Sequence, residues 1–427
     1  MSERRLQKLI GERDVLDVMV KAFTQSPTAD DKLSAGLAEV EIEHHNEIIR
    51  CAEEGKPFIF SYFACAPEIY AAMDLPWYSF LSLPFTGALL PTLKDDIDAS
   101  KRLFGNDLCT ILRVSGYYIE EDLVPVPTAM IGLLHPCDGT TVLHQLIASN
   151  ENWCNVPIFA CDPPYWEDER SMNYYAGELK RMVSFLEEHT GRKLDMGRFR
   201  EVIEESNKQY ELWIEYNDLR RAVPCPHGYG LGLQASGVAQ SNLVGDPRGT
   251  AWFRDLVADA EKLVREKRGK VPNERIRLFW FDVVSLDLSF DLFPWLEEEW
   301  GAVVVMDMFG YAPYTMIDTS SEESMFQGLA KRALCDMPMI RQARGVADNF
   351  LSDIVRVVKD YKIDCVVWPG HMGHKDGSAN IGMMRETCRE LGVPFLHIGM
   401  DLFDKSYTTI DEIKDKFSQF FTAMGLG

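Results

Sequence analysis

The chain has 427 residues, of which 46% are hydrophobic and 26% are charged. This composition is typical of a globular protein, and the length predicts two or three domains rather than a single core. Asp and Glu number 66 against 44 Lys and Arg, which gives a formal net charge of −22 at pH 7. Such a charge argues against general electrostatic affinity for nucleic acids and for anionic membrane surfaces.

The N-terminal segment "MSERRLQKLIGERDVLDVMV" is charged and amphipathic and lacks the apolar core of a secretory signal. No run approaches the roughly 20 apolar residues that a membrane-spanning helix needs. We therefore expect a cytoplasmic protein that does not contact membranes. In that compartment the ten cysteines are expected to be buried thiols, metal ligands or redox groups rather than disulfides.

The first half of the chain repeats a strand–loop–helix pattern. "KPFIFSYFACAPEIYAAMDL" predicts a strand over 57–64, followed by a helix that begins at Glu68. "PTAMIGLLHPCDGTTVLHQLI" predicts a strand over 127–135 and a helix after the Pro-Cys-Asp-Gly-Thr loop. A third apolar run, closed by two prolines, predicts a short strand over 156–161.

The middle of the chain, residues 170–268, has apolar residues at spacings of three and four, which predicts helices. Within it, "GYGLGLQASG" (228–237) lacks the preceding strand and the spacing of a dinucleotide fingerprint. We interpret that stretch as a flexible connection or packing turn. In an earlier acidic, helix-like stretch, His44 and His45 are expected at the surface.

The α/β alternation resumes in the second half. Apolar runs predict strands over 275–284, 301–307, 363–368 and 394–400, and a final helix over 409–424. Continuously apolar strands separated by helices are typical of parallel sheets that are covered on both faces.

The predicted fold is therefore α/β, with two doubly wound, Rossmann-like parallel-sheet domains. An N-terminal helical segment precedes the first domain, and a helical connection separates the two. The predicted boundaries are 1–55, 56–168, 169–270 and 271–427.

Soft or borderline metal ligands occur at or near the ends of several predicted strands, where open α/β sheets bind ligands. They are Cys65, Cys137 and Cys161 in the first α/β domain and His371 and His374 in the second. Cys109, also in the first domain, lies in a loop-like segment between a helix and a strand. Thiolates suit iron–sulfur clusters and zinc. Because the chain has no CxxC pair, the spacing does not predict a zinc ribbon or a ferredoxin. Single cysteines from separate loops would instead hold a cluster between the domains, although a free cysteine is more commonly a small buried hydrophobic residue.

Glu68 directly follows Pro67 at the predicted start of a helix and lies close to Cys65 in the sequence. A carboxylate in the cleft would serve as a general acid or base. Its charge would equally stabilise the positive N-terminal end of the helix. The residue types alone leave both interpretations open.

The order of these segments resembles the 2-hydroxyacyl-CoA dehydratase family, which also includes the core subunits of ATP-dependent benzoyl-CoA reductase. The resemblance extends over nearly the whole chain. It depends on "ACAPEIYAAMDLPW", "DLCTILRVSGYY", "LLHPCDGTTVLHQLIASNENWCNVPIFACDPPYW" and "VVWPGHMGHKDGSANIGMMRETCRELGVPFLHIGMD". Their order and spacing are more specific than any single motif.

The resemblance implies a heterodimer or larger complex of homologous subunits, each with a [4Fe-4S] cluster between two α/β domains. A separate ATP-hydrolysing iron–sulfur activator would supply one electron at low potential. That electron would reduce an acyl-CoA thioester to a ketyl, which leads to dehydration of a 2-hydroxyacyl-CoA. The alternatives are an aromatic acyl-CoA reductase of the benzoyl-CoA type, a non-catalytic or cluster-modified partner subunit, and a double-cluster reductase of other small molecules.

By the same resemblance, Cys109 and Cys137 match two of the three cysteines that hold the family's cluster. Glu68 resembles an acidic residue near the substrate in some dehydratase subunits. The third family cysteine follows the strand that is "CVVW" here, and this chain has no cysteine at that place. His374, or with a small shift His371, occupies it.

Four explanations of this departure stay open. An imidazole replaces the thiolate as an iron ligand, which would raise the reduction potential. Alternatively, Cys65 or Cys161 completes the ligand set. In the third explanation the histidines bind substrate or relay protons near neutral pH. In the fourth, the chain holds no cluster and the histidines only cap the helix that follows.

Overall fold

The computed structural model describes most of the chain, and the following account refers to these residues. They are 3–62, 65–79, 90–134, 138–241, 243–284, 288, 290–338, 340–343, 347–370 and 373–426. Their strands form two four-stranded sheets in which every pairing is parallel. The predicted α/β fold with two parallel sheets is thereby confirmed.

The N-terminal segment is a hairpin of two long helices, α1 (Gln7–Thr24) and α2 (Ala29–Glu54). A short 3₁₀ turn, Glu3–Leu6, precedes it. The side chain of Thr28 caps α2 by accepting the N–H of Asp31, which satisfies one of the free donors at the helix start. This confirms the predicted N-terminal helical segment.

A buried carboxylate ties this hairpin to the first sheet. Glu12 on α1 is fully buried, and its Oε2 lies 3.1 Å from Nε2 of His45 on α2. The hydroxyl of Tyr78 donates to the same oxygen. The surface position expected for His45 is therefore wrong, because the amphipathic pattern of α2 did not reveal that a carboxylate of α1 would face this position.

The first sheet has the strand order β2-β1-β3-β4. Its strands are β1 (Ile59–Ser61), β2 (Trp77–Ser79), β3 (Ala129–Leu133) and β4 (Ile158–Cys161). The helices between them are α3 (Pro67–Ala72), α4 (Leu93–Ser100), α5 (Thr110–Glu120) and α6 (Asp138–Ser149). The three predicted strands are confirmed with shorter bounds. Strand β2 was missed from the sequence.

Four helices connect the two sheets, as predicted. They are α7 (Glu169–Thr190), α8 (Met196–Leu219), α9 (Tyr229–Gln240) and α10 (Pro247–Arg265). The glycine-rich stretch expected to be a connection or packing turn is helix α9, so that prediction is wrong. Its Gly232 is required for packing, since a Cβ there would lie only 2.8 Å from a guanidinium nitrogen of Arg220.

The second sheet has the order β6-β5-β7-β8. Its strands are β5 (Ile276–Trp280), β6 (Ala302–Asp307), β7 (Cys365–Trp368) and β8 (Phe395–His397). Its helices are α11 (Leu292–Trp300), α12 (Glu322–Lys331), α13 (Ile340–Ala343), α14 (Ala347–Asp360), α15 (Lys375–Ala379), α16 (Ile381–Leu391) and α17 (Ile410–Ala423). A π-helical segment, Arg332–Asp336, directly follows α12.

Both faces of the second sheet are covered. Along β5, Leu278 and Trp280 pack into one apolar cluster, whereas Phe279 packs into another. This alternation is the signature of a doubly wound sheet. The two sheets fall within the ranges predicted for the α/β domains, whose boundaries stay predictions. None of the described helices combines the length and apolar character that crossing a lipid bilayer requires.

A buried arginine joins the first sheet to the segments around the second. Arg332, 2% exposed, begins the π-helical segment, and its Nη1 donates to Oε1 of Glu68 at 2.8 Å. Its other acceptors are Ser206 Oγ, Asn207 Oδ1 and the carbonyl of Thr315. Glu68 lies on α3, and Ser206 and Asn207 lie on α8. A single guanidinium therefore connects three separate parts of the chain.

Replacing Arg332 by Met should destabilise the fold by about 3–5 kcal/mol, because it leaves the Glu68 carboxylate buried without its partner. Urea unfolding followed by circular dichroism measures this loss. The Glu68→Leu/Arg332→Met double variant should recover much of it, since no buried charge then remains.

The matched control is Lys180→Met. Lys180 forms a 2.6 Å ion pair with Glu323, but the two side chains are 38% and 63% exposed. An exposed pair of this kind contributes about 0–1 kcal/mol. Equal losses in Arg332→Met and Lys180→Met would contradict the structural role given to Arg332.

Candidate functional site

Cys109 stands at the start of a helix beside the first sheet. It is the N-cap residue of α5 and is 6% exposed, and its side chain makes no capping hydrogen bond to the helix. Free N–H groups of a first helical turn favour a negative charge nearby, so this position suits a thiolate. The loop-like segment predicted around Cys109 therefore ends at this residue, and the helix begins with Thr110.

The same helix start is attached to the second sheet. The hydroxyl of Thr110 donates to Oδ1 of Asp401, which follows strand β8. That oxygen also accepts the backbone N–H groups of Phe403 and Asp404, at 3.0 and 2.9 Å. Asp401 is only 4% exposed. Its carboxylate thus shapes the loop after β8 and holds the N-terminus of α5 against it.

A buried cation completes this contact. Arg113 donates through Nε to the carbonyl of Leu108 and through Nη2 to Thr110 Oγ1, both at 3.0 Å. Its Nη2 also lies 3.5 Å from Oδ2 of Asp404. The guanidinium therefore neutralises an acidic loop inside the contact between the two sheets.

On the other side of this contact, His374 is held by a carboxylate. His374 is the N-cap residue of α15, and its Nδ1 is hydrogen-bonded to Oδ1 of Asp282, which follows strand β5. Burial lowers the pKa of His374, but the charge and hydrogen bond of Asp282, together with the charge of Asp376, outweigh this effect and leave the pKa raised. Burial likewise raises the pKa of Asp282, by more than His374 lowers it. The sequence analysis missed Asp282, whose only signal is an acidic residue placed directly after an apolar strand.

The segments that carry Cys109 and His374 face each other. Nζ of Lys375, the residue after His374, lies 4.0 Å from Oδ2 of Asp107, two residues before Cys109. Both side chains are more than half exposed, so the pair contributes little energy. It does place the two segments on opposite sides of one seam, which we call the intersheet seam. Of the described residues, it is formed by 105–110, 369–370, 373–375 and 401–406.

Comparison with known proteins bears on this arrangement. The family model described as "2-hydroxyglutaryl-CoA dehydratase, D-component" matches residues 62–424, which include the second sheet, the strands of the first sheet other than β1, and the intersheet seam. The chain belongs to the 2-hydroxyglutaryl-CoA dehydratase D-component family. A characterised relative is the (R)-2-hydroxyglutaryl-CoA dehydratase, subunit alpha, of Acidaminococcus fermentans, which is 23% identical over 285 residues. The alignment covers 64% of this chain and 55% of the relative, so it spans about half of that protein's length.

Two of the residues matched to the family's site lie outside the described part of the chain. They are Cys137, between strand β3 and helix α6 in the sequence, and His371, which precedes His374 by three residues. Their roles in the dehydratase family stay predictions.

Cys65 and Cys161 lie at the ends of β1 and β4 and are fully buried. The structure brings them to each other, since the thiol of Cys161 is a hydrogen-bonding neighbour of the Cys65 thiol. Burial, together with Cys161, raises the pKa of Cys65 well above its ordinary value. Sγ of Cys161 lies 4.0 Å from Sδ of Met182. This packing alone accounts for the position of both thiols. Their role as cluster ligands stays a prediction.

Glu68, the predicted acid or base, is almost fully buried and engages Arg332 through Oε1 at 2.8 Å. Ser206 donates to the same oxygen at 3.1 Å. In this structure the carboxylate anchors α3 to α8 and to the π-helical segment. Its participation in proton transfer stays a prediction.

Within the described residues, three or more His, Cys, Asp or Glu ligand atoms come together at one place, formed by Asp30, His227 and Asp259. Nε2 of His227 lies 3.1 Å from Oδ2 of Asp259. This hydrogen bond is the main cause that lowers the pKa of Asp259. Lys270 lies 3.5 Å from Asp30 and already balances its charge. The group is therefore accounted for as an ionic network of the helical connection.

Asp401→Ala should destabilise the protein by at least about 2 kcal/mol, because Thr110 and two backbone N–H groups lose a charged acceptor. Chemical unfolding measures the change. The control is Asp411→Ala, which removes an exposed carboxylate from the first turn of α17 and should cost less than about 1 kcal/mol. If the two variants lose the same stability, Asp401 does not hold the intersheet seam.

Proposed function

We propose that the chain is an iron–sulfur subunit of a radical-type enzyme that dehydrates a 2-hydroxyacyl-CoA. The observation that supports this function best is the meeting of the Cys109 and His374 segments at the intersheet seam. Family membership supports a dehydratase component, and the Acidaminococcus relative is named as a subunit that acts on a 2-hydroxyacyl-CoA. The choice of acyl group is left to assay.

The donors at the seam suit iron. Cys109 supplies sulfur at a helix N-terminus, and His374 supplies nitrogen with its second ring nitrogen bound to a carboxylate, an arrangement typical of metal-bound histidines. We propose that Cys109, Cys137 and His374 hold a [4Fe-4S] cluster, with Cys65 and Cys161 as alternative ligands. Such a cluster supplies single electrons at a potential set by its ligands and by burial.

Residues of the chain itself would make the intersheet seam suitable for such a cluster. The free N–H groups of α5 stabilise negative charge at Cys109. Asp401 and Arg113 close the seam against water, because both are buried and hold the N-terminus of α5 to the loop after β8. Exclusion of water lowers the local dielectric and strengthens each electrostatic interaction within the seam.

We also propose the partners and the compartment. A homologous second subunit would complete the complex, in keeping with the relative's designation as a subunit. A separate ATP-hydrolysing iron–sulfur activator would deliver the electron, and the complex would act in the cytoplasm. Reduction of an aromatic acyl-CoA is the alternative reaction of the same site.

A specific observation favours a second candidate, a cluster-modified partner subunit. By the family resemblance His374 takes the place of the third cysteine, and this histidine is buried against Asp282. Such a subunit would keep the seam and its cluster at a different potential, while a homologous chain with three cysteines carries out the reduction.

The proposed function is tested by anaerobic expression of the chain, alone and with a homologous chain encoded beside it. Iron and sulfide analysis and EPR after reduction measure the cluster, and assays with 2-hydroxyacyl-CoA esters measure dehydration. Cys109→Ala, Cys137→Ala and His374→Ala should each lose most of the iron. Cys154→Ala, which removes an exposed thiol, should keep it. Purification without iron in the presence of the partner would reject the proposal.

A second test distinguishes the two candidate subunits. In the His374→Cys/Asp282→Asn double variant a thiolate replaces the imidazole, and the carboxylate that would repel that thiolate is removed. The reduction potential should fall by on the order of 100 mV, since imidazole ligands raise cluster potentials. EPR-monitored redox titration measures it. An unchanged potential would show that His374 is not an iron ligand.

A further inference from the structure

We propose that Asp282 is a positioning residue that fixes the tautomer of His374, with the proton on Nδ1 and the lone pair on Nε2. This inference deepens the proposed function and rests on it for its significance.

The sheet brings the two residues together. Asp282 follows β5 and His374 follows β7, and these strands are paired neighbours. The pairing extends past the end of β5, where the N–H of Phe281 donates to the carbonyl of Val367 at 2.9 Å. The loops after the two strands therefore start side by side at the carboxyl edge of the sheet, where α/β proteins place their ligand-binding residues.

The carboxylate is oriented independently of the histidine. Oδ1 of Asp282 accepts the N–H of Val283 at 2.7 Å, and the side chain is fully buried. The same oxygen contacts Nδ1 of His374. Because a backbone donor already fixes this oxygen, the imidazole adapts to the carboxylate rather than the reverse.

The histidine is also held in place through its backbone. His374 is the N-cap residue of α15, and its carbonyl accepts the N–H of Ser378 at 2.9 Å. Helix α15 lies against strand β7 at Gly377, where a Cβ would lie 2.3 Å from the ring of Trp368. This close approach leaves α15 little freedom to shift along the strand, so the imidazole is presented to Asp282 in one place.

At a pH above the raised pKa of Asp282 its carboxylate is ionised and only accepts hydrogen bonds, so the ring nitrogen of His374 that contacts it carries a proton. In neutral imidazole the other nitrogen then holds the lone pair, and in His374 this is Nε2. A metal ion binds the lone pair of a neutral imidazole. By keeping the proton on Nδ1, Asp282 thereby leaves Nε2 of neutral His374 as the nitrogen that can donate a lone pair to a metal ion.

A second buried histidine–carboxylate pair provides a contrast and a control. His45 uses both ring nitrogens within the protein, with Nδ1 at 2.7 Å from the carbonyl of Glu41 and Nε2 at 3.1 Å from Glu12. Both partners are acceptors, so this ring is held for structure alone. The two pairs thus differ in which nitrogen the carboxylate engages, and a spectroscopic measurement distinguishes them.

The test uses the iron-free full-length protein with ¹⁵N-labelled histidine. Long-range ¹H–¹⁵N NMR at alkaline pH reports which ring nitrogen carries the proton, and His374→Gln identifies the signals of His374. The wild type should carry the proton on Nδ1. In Asp282→Ala the population should shift toward the Nε2–H tautomer, which free imidazole prefers.

Two variants control this result. In Asp282→Asn the Val283 N–H still fixes an oxygen at the same place, so the Nδ1–H tautomer should be retained. Glu12→Gln should change the signals of His45 and leave those of His374 in place. If Asp282→Ala does not fold, as judged by the His45 signals, Asp282→Ser should show a mixture of tautomers, because a hydroxyl both donates and accepts. A wild-type Nε2–H tautomer, or no change on loss of the carboxylate, overturns the inference.

A separate measurement keeps this inference apart from the proposed function. Anaerobic titration of the iron-free protein with Co²⁺, followed by visible absorption, should show binding that Asp282→Ala weakens by about 10–100-fold, the usual effect of losing such a partner. Co²⁺ binding with equal affinity in both proteins would contradict the role of Asp282. Absence of Co²⁺ and iron binding in a wild type that shows the Nδ1–H tautomer would reject the metal centre and uphold the positioning by Asp282.

Discussion

The hydrogen bond from Thr110 to the buried carboxylate of Asp401 is the constraint on which the geometry of the intersheet seam depends. Asp401 also accepts two backbone N–H groups of its own loop, so it cannot move without reshaping that loop. The N-terminus of α5, and with it Cys109, is therefore held at a fixed position beside the carboxyl edge of the second sheet. Ligands from two sheets meet only if such a contact fixes one sheet relative to the other.

Arg332 stabilises a different part of the same arrangement. Its guanidinium has acceptors on α3, on α8 and on the segment around Thr315, so it restricts how the helical connection lies on both sheets. Buried ion pairs of this kind are costly when broken and rarely add much net stability. Here the ion pair fixes the relative positions of chain segments. Through the same contacts Glu68 anchors α3 to α8 and to the π-helical segment. A residue that resembles a catalytic acid in sequence is thereby engaged by a permanent cation.

Much of the fold could be predicted because parallel strands leave long apolar runs between helices, as at 301–307 and 363–368. Strand β2 was missed, and helix α9 was hidden by its glycines, of which Gly232 admits the guanidinium of Arg220. Contacts between distant residues leave no periodic trace in the sequence. The pairing of Cys65 with Cys161, and of Asp282 with His374, therefore emerged only when the strand order was known.

The family resemblance implies a cysteine after strand β7, and a histidine in that place makes different demands on its neighbours. An imidazole needs an acceptor for its second nitrogen, and Asp282 supplies one. A thiolate has no such need, and beside a buried carboxylate it would be repelled, since two like charges in low dielectric cannot both ionise easily. Histidine at 374 and aspartate at 282 are therefore a matched pair, each of which makes the other tolerable in a buried place. The surrounding structure thus accommodates an imidazole at position 374.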